Sequence, residues 1–457
     1  MKKGILYILL LMSNVMLANI TLPSIFSDHM VLQQNEDVKF WGWAGPNETV
    51  EIKPSWTNEI YTVKATSDAK WELIVKTPKA GSTYSIIISG YNEIIINDVL
   101  IGEVWLCSGQ SNMEMSASWG IENGEEAIAE ANHPTIRFFK VEKSSADGPQ
   151  DHIIGKWEVC TPETMKENSA VAYFFATQLQ ENIKNTPVGL IISAWGGTPA
   201  EIWIPEEVFE NDKVLAEAAN KLQPQDWGPT QPAKAFNAMI YPIAGYNLAG
   251  TLWYQGESNV GSLVYDKTLS ALITSWRTLW EANFPFYIVQ IAPYDDGYKH
   301  YGSVIIRDAQ RKVSSALENT EMVVVSDISP TDDIHPKNKK SVGQRLANIA
   351  LKKQYQAIDN LVEHPELERV VYNKENAVIH FKNADGLFIK GTASLFEIAG
   401  EDNVFYPAKT KLKDQTILVY SNKVKQPFSV RFAWGNALQS NVFNRADLPA
   451  SSFTTEK

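Results

Sequence analysis

Four short segments of the sequence carry side chains that could together perform acyl transfer. They supply a hydroxyl, glycine amides, side-chain amides beside a carboxylate, and a histidine beside carboxylates: Gly109-Gln110-Ser111-Asn112-Met113, Trp195-Gly196-Gly197-Thr198, Gln255-Gly256-Glu257-Ser258-Asn259 and Asp332-Asp333-Ile334-His335-Pro336. A serine hydroxyl is a weak nucleophile near neutral pH, so it needs a base such as histidine and donors that stabilise an oxyanion. Taken singly, each segment is more simply a turn or a helix cap, and only their joint placement would make a site.

Each segment comes after a predicted strand, in a region where strands and helices alternate. Short apolar runs predict strands at Leu100–Cys107, Ile136–Val141, Val188–Ser193, Leu248–Tyr254, Phe286–Ile291 and Met322–Ser326. Apolar residues at the helical period predict helices at Ala170–Ile183, Tyr265–Trp280, Val304–Leu317 and Asn338–Tyr355. This alternation is typical of a parallel sheet covered by helices on both faces, whose ligands bind beyond the carboxyl ends of the strands. We therefore expect the four segments to meet on one rim.

Regions of β pattern flank this alternating part. Turn residues separate short strand-like runs at Val38–Trp43, Thr49–Ile52, Trp71–Val75 and Tyr84–Ile88, and again at Val370–Tyr372, Ala377–Phe381, Ser394–Ile398, Thr416–Val419 and Ser429–Phe432. We therefore predict a β-rich, sandwich-like domain at residues 19–98, a catalytic domain at residues 99–356 and a second β-rich domain at residues 357–457.

The N-terminus has the pattern of a secretory signal peptide. Lys2 and Lys3 precede an apolar run from Ile5 to Met12, and the stretch ends near Ala18. That run is shorter than the ~20 residues that span a bilayer, so we expect residues 1–18 to be removed and the protein to be periplasmic or secreted, without a membrane span. Export would permit a Cys107–Cys160 disulfide, which the sequence leaves open.

Composition and missing motifs exclude other classes. The 457 residues carry 41 basic and 53 acidic side chains, a net charge of −12, which argues against nucleic acid as a partner. The seven histidines are scattered and no H-E-x-x-H, Walker A or dinucleotide motif occurs, so we expect no metal and no cofactor. The segment around Ser111 lacks the last glycine of the G-x-S-x-G elbow, which disfavours an α/β-hydrolase.

At these residues the sequence resembles the sialate O-acetylesterases, a branch of the SGNH (GDSL-like) hydrolases. The resemblance covers nearly the whole mature chain and is carried by Phe26–Gln33, Gly102–Met113, Trp253–Asn259, Asp333–Lys339 and Ile398–Asp402. It implies a flavodoxin-like α/β/α catalytic domain with β-rich flanks. It also implies hydrolysis of acetyl esters on sugars by a serine nucleophile without a cofactor.

The resemblance assigns roles to individual residues. Ser111 matches the nucleophile and His335 the general base. Three carboxylates could orient the histidine, and the sequence does not rank them: Asp332 fits the D-x-x-H spacing, Asp333 lies in the D-I-H-P string, and Glu257 matches a glutamate that related esterases use.

The oxyanion hole is expected to use the backbone N–H of Ser111 and one from Gly196 or Gly197. The superfamily's third donor is an asparagine in a G-x-N-D block that this sequence lacks, so Gln255 or Asn259 must substitute for it.

The expected substrate is an O-acetylated sugar or glycan, and acetylated sialic acid is the first candidate. Its carboxylate would favour an arginine fork, for which Arg277, Arg307 and Arg311 are possible sources. Acetylxylan or another acetylated polysaccharide is the alternative substrate, and a non-catalytic glycan-binding protein is the alternative of another class. The oligomeric state is not predicted.

Overall fold

The N-terminal region is built from short strands. The computed structural model describes residues 19–295, 297 and 301–456, so the predicted signal peptide lies outside the described residues. The first strands are β1 (Val31–Gln33), β2 (Asp37–Trp43), β3 (Thr49–Pro54), β4 (Tyr61–Lys64), β5 (Lys70–Lys76) and β6 (Thr83–Ser89). β2 pairs with β5 as a two-stranded sheet, and β3 pairs with β4 and β6. Buried positions alternate with exposed or half-buried ones along β3, so one face of this sheet packs on a core.

A largely parallel sheet forms the centre of the molecule. Its strands are β7 (Glu93–Gly109), β8 (His133–Val141), β9 (Gly155–Cys160), β10 (Val188–Ala194), β11 (Gly250–Tyr254), β12 (Phe286–Val289) and β13 (Thr320–Val323). They lie in the order β13-β12-β11-β7-β10-β8-β9, and only β9 is antiparallel to its neighbour. Without the β8–β9 edge pair, the other five strands have the order 2-1-3-4-5 of a doubly wound sheet.

β7 crosses the predicted domain boundary between residues 98 and 99. It is a continuous strand of 17 residues. Its first half pairs antiparallel with β6, and its second half pairs parallel with β10 and β11. The N-terminal strands are therefore fused to the central sheet through an unbroken backbone, and the change in apolar pattern near Val99 marks a change of neighbours rather than a linker.

Helices cover both faces of the central sheet. They are α1 (Ser111–Glu114), α2 (Gly124–Glu130), α3 (Pro162–Glu167), α4 (Ala170–Asn182), α5 (Glu206–Asn211), α6 (Lys213–Ala219), α7 (Tyr265–Leu279), α8 (Gly302–Ala316) and α9 (Lys339–Lys353). Alternate residues of β7 point to opposite faces: Leu106 joins the core with α7 and α8, whereas Cys107 joins the core with α4 and α9. The mixed α/β class is therefore confirmed.

The C-terminal region is a second β-rich unit with its own apolar core. Its strands are β14 (Glu366–Tyr372), β15 (Ala377–Lys382), β16 (Phe388–Ile389), β17 (Phe396–Ala399), β18 (Tyr406–Pro407), β19 (Lys409–Lys413), β20 (Thr416–Tyr420), β21 (Ser429–Phe432), β22 (Val442–Phe443) and β23 (Phe453–Thr454). Two four-stranded sheets, β14-β15-β20-β19 and β18-β17-β21-β23, pack around Ile379, Ile398 and Phe432.

The two cysteines do not form a disulfide. Cys107 and Cys160 are both free and buried, and burial raises the pKa of each thiol. Within the described part of the chain, no helix is long and apolar enough to cross a membrane.

Candidate active site

The structure brings Ser111 and His335 together at the carboxyl rim of the central sheet. Ser111 begins α1 directly after β7, and the distance from its Oγ to Nε2 of His335 is 2.9 Å. The turn requires glycine at Gly109, where φ is +135° and a Cβ would lie 2.2 Å from the carbonyl oxygen of Tyr254. This close approach of β7 to β11 presents the hydroxyl to the histidine, 224 residues further along the chain. The geometry is that of a nucleophile and its base.

The three candidate carboxylates lie in different places. Asp333 accepts a hydrogen bond from the backbone N–H of His335 at 2.8 Å, so it fixes the loop rather than the ring. Asp332 is exposed, and its carboxylate forms no hydrogen bond with His335 in the described structure. Glu257 contacts Asn112 instead. Since no carboxylate among the described residues hydrogen-bonds the imidazole, Ser111 and His335 form a dyad in this structure.

A buried polar network lies beneath the dyad and is centred on Asn112. The Nδ2 of Asn112 donates to Oε1 of Glu257 at 2.7 Å and to the carbonyl oxygen of Ile334 at 3.0 Å. Its Oδ1 accepts from Nζ of Lys339 at 2.6 Å. Asn112 and Lys339 are fully buried, and burial lowers the pKa of Lys339 to about 7 and raises that of Glu257. Asn112 therefore links α1, the helix that begins with Ser111, to the residue that precedes His335.

Of the backbone N–H groups predicted to form the oxyanion hole, that of Gly196 already has an acceptor within the protein. A Cβ on Gly196 would lie 3.2 Å from Cβ of Ser111, so this glycine lies against the nucleophile, but its N–H donates to Oε2 of Glu114 at 2.8 Å. Glu114 also pairs with Lys143 at 2.6 Å. In the described structure the N–H groups of Ser111 and Gly197 donate to no protein acceptor. These two groups are the unengaged donors of the predicted oxyanion hole.

Gln255 and Asn259 were proposed as the third donor of the oxyanion hole, and this prediction needs correction. Their side-chain amides donate to other groups of the protein. Nε2 of Gln255 donates to the carbonyl oxygen of Thr198 and to Oδ1 of Asn259. Nδ2 of Asn259 donates to both carboxylate oxygens of Glu201. Because both amides are buried and their N–H groups already have acceptors, they hold the rim segments together rather than facing an oxyanion.

Comparison with known proteins decides which family this site belongs to. Residues 101–352 match the family model for the carbohydrate esterases described as sialic acid-specific acetylesterases. The chain belongs to this family. It is 30% identical over 364 residues to the sialate O-acetylesterase of Homo sapiens, covering 71% of this chain and 69% of that protein. The sialate O-acetylesterase of Pongo abelii matches with the same identity and coverage.

A solved structure extends the similarity to the flanking regions. The crystal structure of a carbohydrate acetylesterase from Xanthomonas citri has a TM-score of 0.86 and 32% identity, and it covers 96% of this chain and 100% of that one. The resemblance seen in the sequence is therefore confirmed, and the protein is a carboxylic ester hydrolase.

The environment of His335 lowers the pKa of its imidazole and so favours the neutral ring. Burial is the largest influence and lowers the pKa of His335, the charge of Lys339 lowers it further, and the charge of Asp333 raises it. Neutral imidazole is the form that accepts a proton from serine. The lowered pKa leaves more of the His335 ring in the proton-accepting form than an ordinary histidine would have at the same pH.

We expect kcat/KM to rise with pH through a midpoint below 6.5, the ordinary pKa of histidine, because activity requires the deprotonated ring. Asp333→Asn removes a charge that raises the pKa of His335, so the midpoint should move to lower pH. Asp332→Asn is the matched control and should leave the midpoint unchanged. The measurement is initial rate against pH with an uncharged acetyl ester.

The maximal rate, reached at pH values above the midpoint, tests separately whether a carboxylate orients the ring of His335. Because neither aspartate contacts the imidazole, both variants should lose far less than the ~10⁴-fold that follows loss of a ring-orienting carboxylate. A loss of that size in either variant would show that the carboxylate orients the ring during turnover.

Two exposed tryptophans flank the dyad, and the sequence analysis did not identify them. Trp119 is 47% exposed, and its ring lies edge-on to that of His335 with centroids 6.3 Å apart. Trp227 is 64% exposed and covers Gly197, whose carbonyl oxygen accepts from its indole N–H at 3.2 Å. Neither lies in one of the four segments, so only the frequency of tryptophan in the sequence could have suggested them.

The three arginines considered for a carboxylate fork have structural roles. Arg277 donates to the carbonyl oxygens of Phe284, Glu318 and Asn319. Arg307 is buried and donates to backbone carbonyls of the C-terminal region, and Arg311 pairs with Asp308 at 2.8 Å. Since these guanidinium groups already have partners, the suggestion that they bind a substrate carboxylate is withdrawn. Among the described residues, no cluster of three or more His, Cys, Asp or Glu could hold a metal ion.

Proposed function

We propose that this protein is an exported serine esterase that removes O-acetyl groups from sugars through an acetyl-enzyme. The observation that supports the proposal is the 2.9 Å contact between Oγ of Ser111 and Nε2 of His335 on the rim of the sheet. The exposed rings of Trp119 and Trp227 beside it fit the apolar faces of a sugar. Membership of the carbohydrate esterase family supports the same reaction.

The proposed chemistry uses the dyad twice. Oγ of Ser111 attacks the carbonyl carbon of the acetyl group while Nε2 of His335 takes its proton. The N–H groups of Ser111 and Gly197 stabilise the oxyanion, and His335 then gives the proton to the sugar oxygen as the C–O bond breaks. Water attacks the acetyl-serine, His335 takes a proton from that water and returns it to Oγ, and acetate leaves.

Acetylated sialic acid is the first candidate substrate, because sialate O-acetylesterases are among the relatives. One observation favours the second candidate, a neutral acetylated polysaccharide such as acetylxylan. Arg277, Arg307 and Arg311 are bonded within the protein and do not supply a fork for the sialic acid carboxylate. The experiment therefore compares acetylated sialic acid with a neutral acetylated saccharide.

The deciding experiment compares kcat/KM for O-acetylated N-acetylneuraminic acid with that for acetylated xylo-oligosaccharides. A preference of at least about ten-fold identifies the substrate class, since such a ratio corresponds to ~1.4 kcal/mol of transition-state binding. A chromogenic octanoyl ester is the control for acyl size and should react far more slowly than its acetyl counterpart. Failure to release acetate from any acetylated sugar would overturn the proposal.

A further inference from the structure

A wide groove lies between the N-terminal strands and the central domain, away from the dyad. Its walls are β2 and β5 on one side, and residues 241–247 and the end of α7 on the other. Its volume is about 730 Å³, which is within the ~300–1,000 Å³ range of small-molecule sites in proteins. The groove is therefore large enough for a short oligosaccharide.

The groove lies at the opposite end of the sheet from Ser111. Residues 241–247 come before the amino end of β11, and α7 ends before the amino end of β12. Ser111 follows the carboxyl end of β7, which is parallel to β11. β11 has five residues, so its first and last Cα atoms are separated by four steps of about 3.3 Å, roughly 13 Å in all. A ligand in the groove would be separate from the acetyl ester in the active site.

Aromatic side chains line the groove and are held in place by their own contacts. Trp43 is stacked on His152 with ring centroids 4.2 Å apart. The indole N–H of Trp280 donates to the carbonyl oxygen of Tyr246 at 2.9 Å. Tyr241 is 38% exposed, and Trp41 also lines the groove. Fixed aromatic rings in an open groove suit sugars, whose C–H faces stack on such rings with little loss of side-chain freedom.

Paired charges supply the polar part of the lining. Lys39 pairs with Glu72 at 2.7 Å, and Lys70 pairs with Asp151 at 2.8 Å, and all four side chains remain at least 38% exposed. The lysine ammonium groups can donate hydrogen bonds to sugar hydroxyls, and the carboxylates can accept hydrogen bonds from them. With the carboxylates of Asp37 and Glu281 the lining holds four acidic groups against two lysines, so it favours a neutral sugar over an anionic one.

We propose that this groove is a second carbohydrate site that binds a run of neutral sugar units, distinct from the ester-cleaving site. Trp43, Trp280 and Tyr241 form the stacking surface, and the two ion pairs form the hydrogen-bonding edge. Binding there keeps the esterase on a polysaccharide chain while the active site meets successive acetyl groups. The inference goes beyond the proposed function, because the groove can bind a sugar whether or not the dyad cleaves sialic acid esters.

The test uses the full chain carrying Ser111→Ala, so that binding is measured without turnover. Xylo-, manno- and cello-oligosaccharides are titrated by calorimetry and by tryptophan fluorescence, with an oligosialic acid as the anionic probe. We expect at least one neutral series to bind, and Trp43→Ala or Tyr241→Ala to weaken its affinity at least ten-fold. Tyr91→Ala is the matched control, because Tyr91 is 58% exposed on the same region and lies outside the groove lining.

Loss of sugar binding in the groove can be measured separately from loss of ester hydrolysis at the active site. Groove variants made on the active enzyme should hydrolyse a small chromogenic acetyl ester at the parent rate and lose efficiency only on an acetylated polymer. If Trp43→Ala fails to fold, Tyr241→Ala alone carries the test, because this ring is already partly exposed. The proposal is overturned if no neutral saccharide binds, if affinity is equal in groove and control variants, or if sedimentation shows that a second copy of the chain occupies the groove.

Discussion

Replacing Ser111 by alanine is expected to lower the rate of acetyl-ester hydrolysis by roughly 10⁴- to 10⁶-fold, as loss of an activated nucleophile does in serine hydrolases. The change removes one hydroxyl whose partner is Nε2 of His335, so the fold should be unaffected. His335→Ala should match the loss. The double variant should be hardly slower than either single one, because the two residues act as a unit. Initial rates and circular dichroism of each variant provide the measurement.

Ser258→Ala is the matched control for this series. Ser258 follows β11 on the same rim, and its backbone N–H donates to Oε1 of Gln110, whereas its hydroxyl has no hydrogen-bond partner among the described residues. It should keep nearly the parent rate. A folded Ser111→Ala protein with more than about a tenth of the parent activity would contradict the assignment.

Replacing Asn112 by alanine is expected to cost about 3–5 kcal/mol of stability, because it leaves three buried polar or ionisable groups without their partner. The groups are the carboxylate of Glu257, the ammonium of Lys339 and the carbonyl oxygen of Ile334. The Ile334 bond also holds the residue next to His335, so kcat should fall more than KM rises. Urea unfolding and steady-state kinetics provide the measurement.

A charge swap tests whether the network acts through these contacts. Asn112→Asp alone sets a second carboxylate against Glu257 and should destabilise the protein, whereas adding Glu257→Gln restores one donor and one acceptor across the 2.7 Å contact. We expect the double variant to recover part of the stability lost. Asn211→Ala is the control and should cost little, because Asn211 is exposed at the end of α5. If the stability lost by the double variant equals the sum of the losses in Asn112→Asp and Glu257→Gln, the two residues do not act through this contact.

The local pattern of apolar residues was sufficient to predict most of the helices and strands that position the site. The period of apolar residues places α4, α7, α8 and α9 within a few residues of their observed bounds. The short apolar runs correspond to six strands of the central sheet, whereas the antiparallel edge strand β9 was not predicted. Burial on both faces makes such strands continuously apolar, so local composition carries this information. The same logic assigned the four segments to one rim, and Ser111 lies 2.9 Å from His335 there.

The domain boundary shows where local pattern is insufficient. The sequence changes character near residue 98 because β7 exchanges an antiparallel neighbour for parallel ones. A strand that changes neighbours and a linker that separates domains both alter the apolar pattern. Only the backbone pairing distinguishes them.

The sequence by itself determined the fold class, the family and the serine–histidine pair, because these depend on periodicity and on residues within short motifs. Only the tertiary structure decided the partners of the remaining polar groups: Asp333 holds the backbone of His335, and Gln255 binds Asn259 rather than facing the nucleophile. Such choices depend on side chains that lie far apart in the chain, as Asn112 and Glu257 do, 145 positions from one another. A short motif fixes which groups are present, but their directions and burial are set by packing that the motif does not contain.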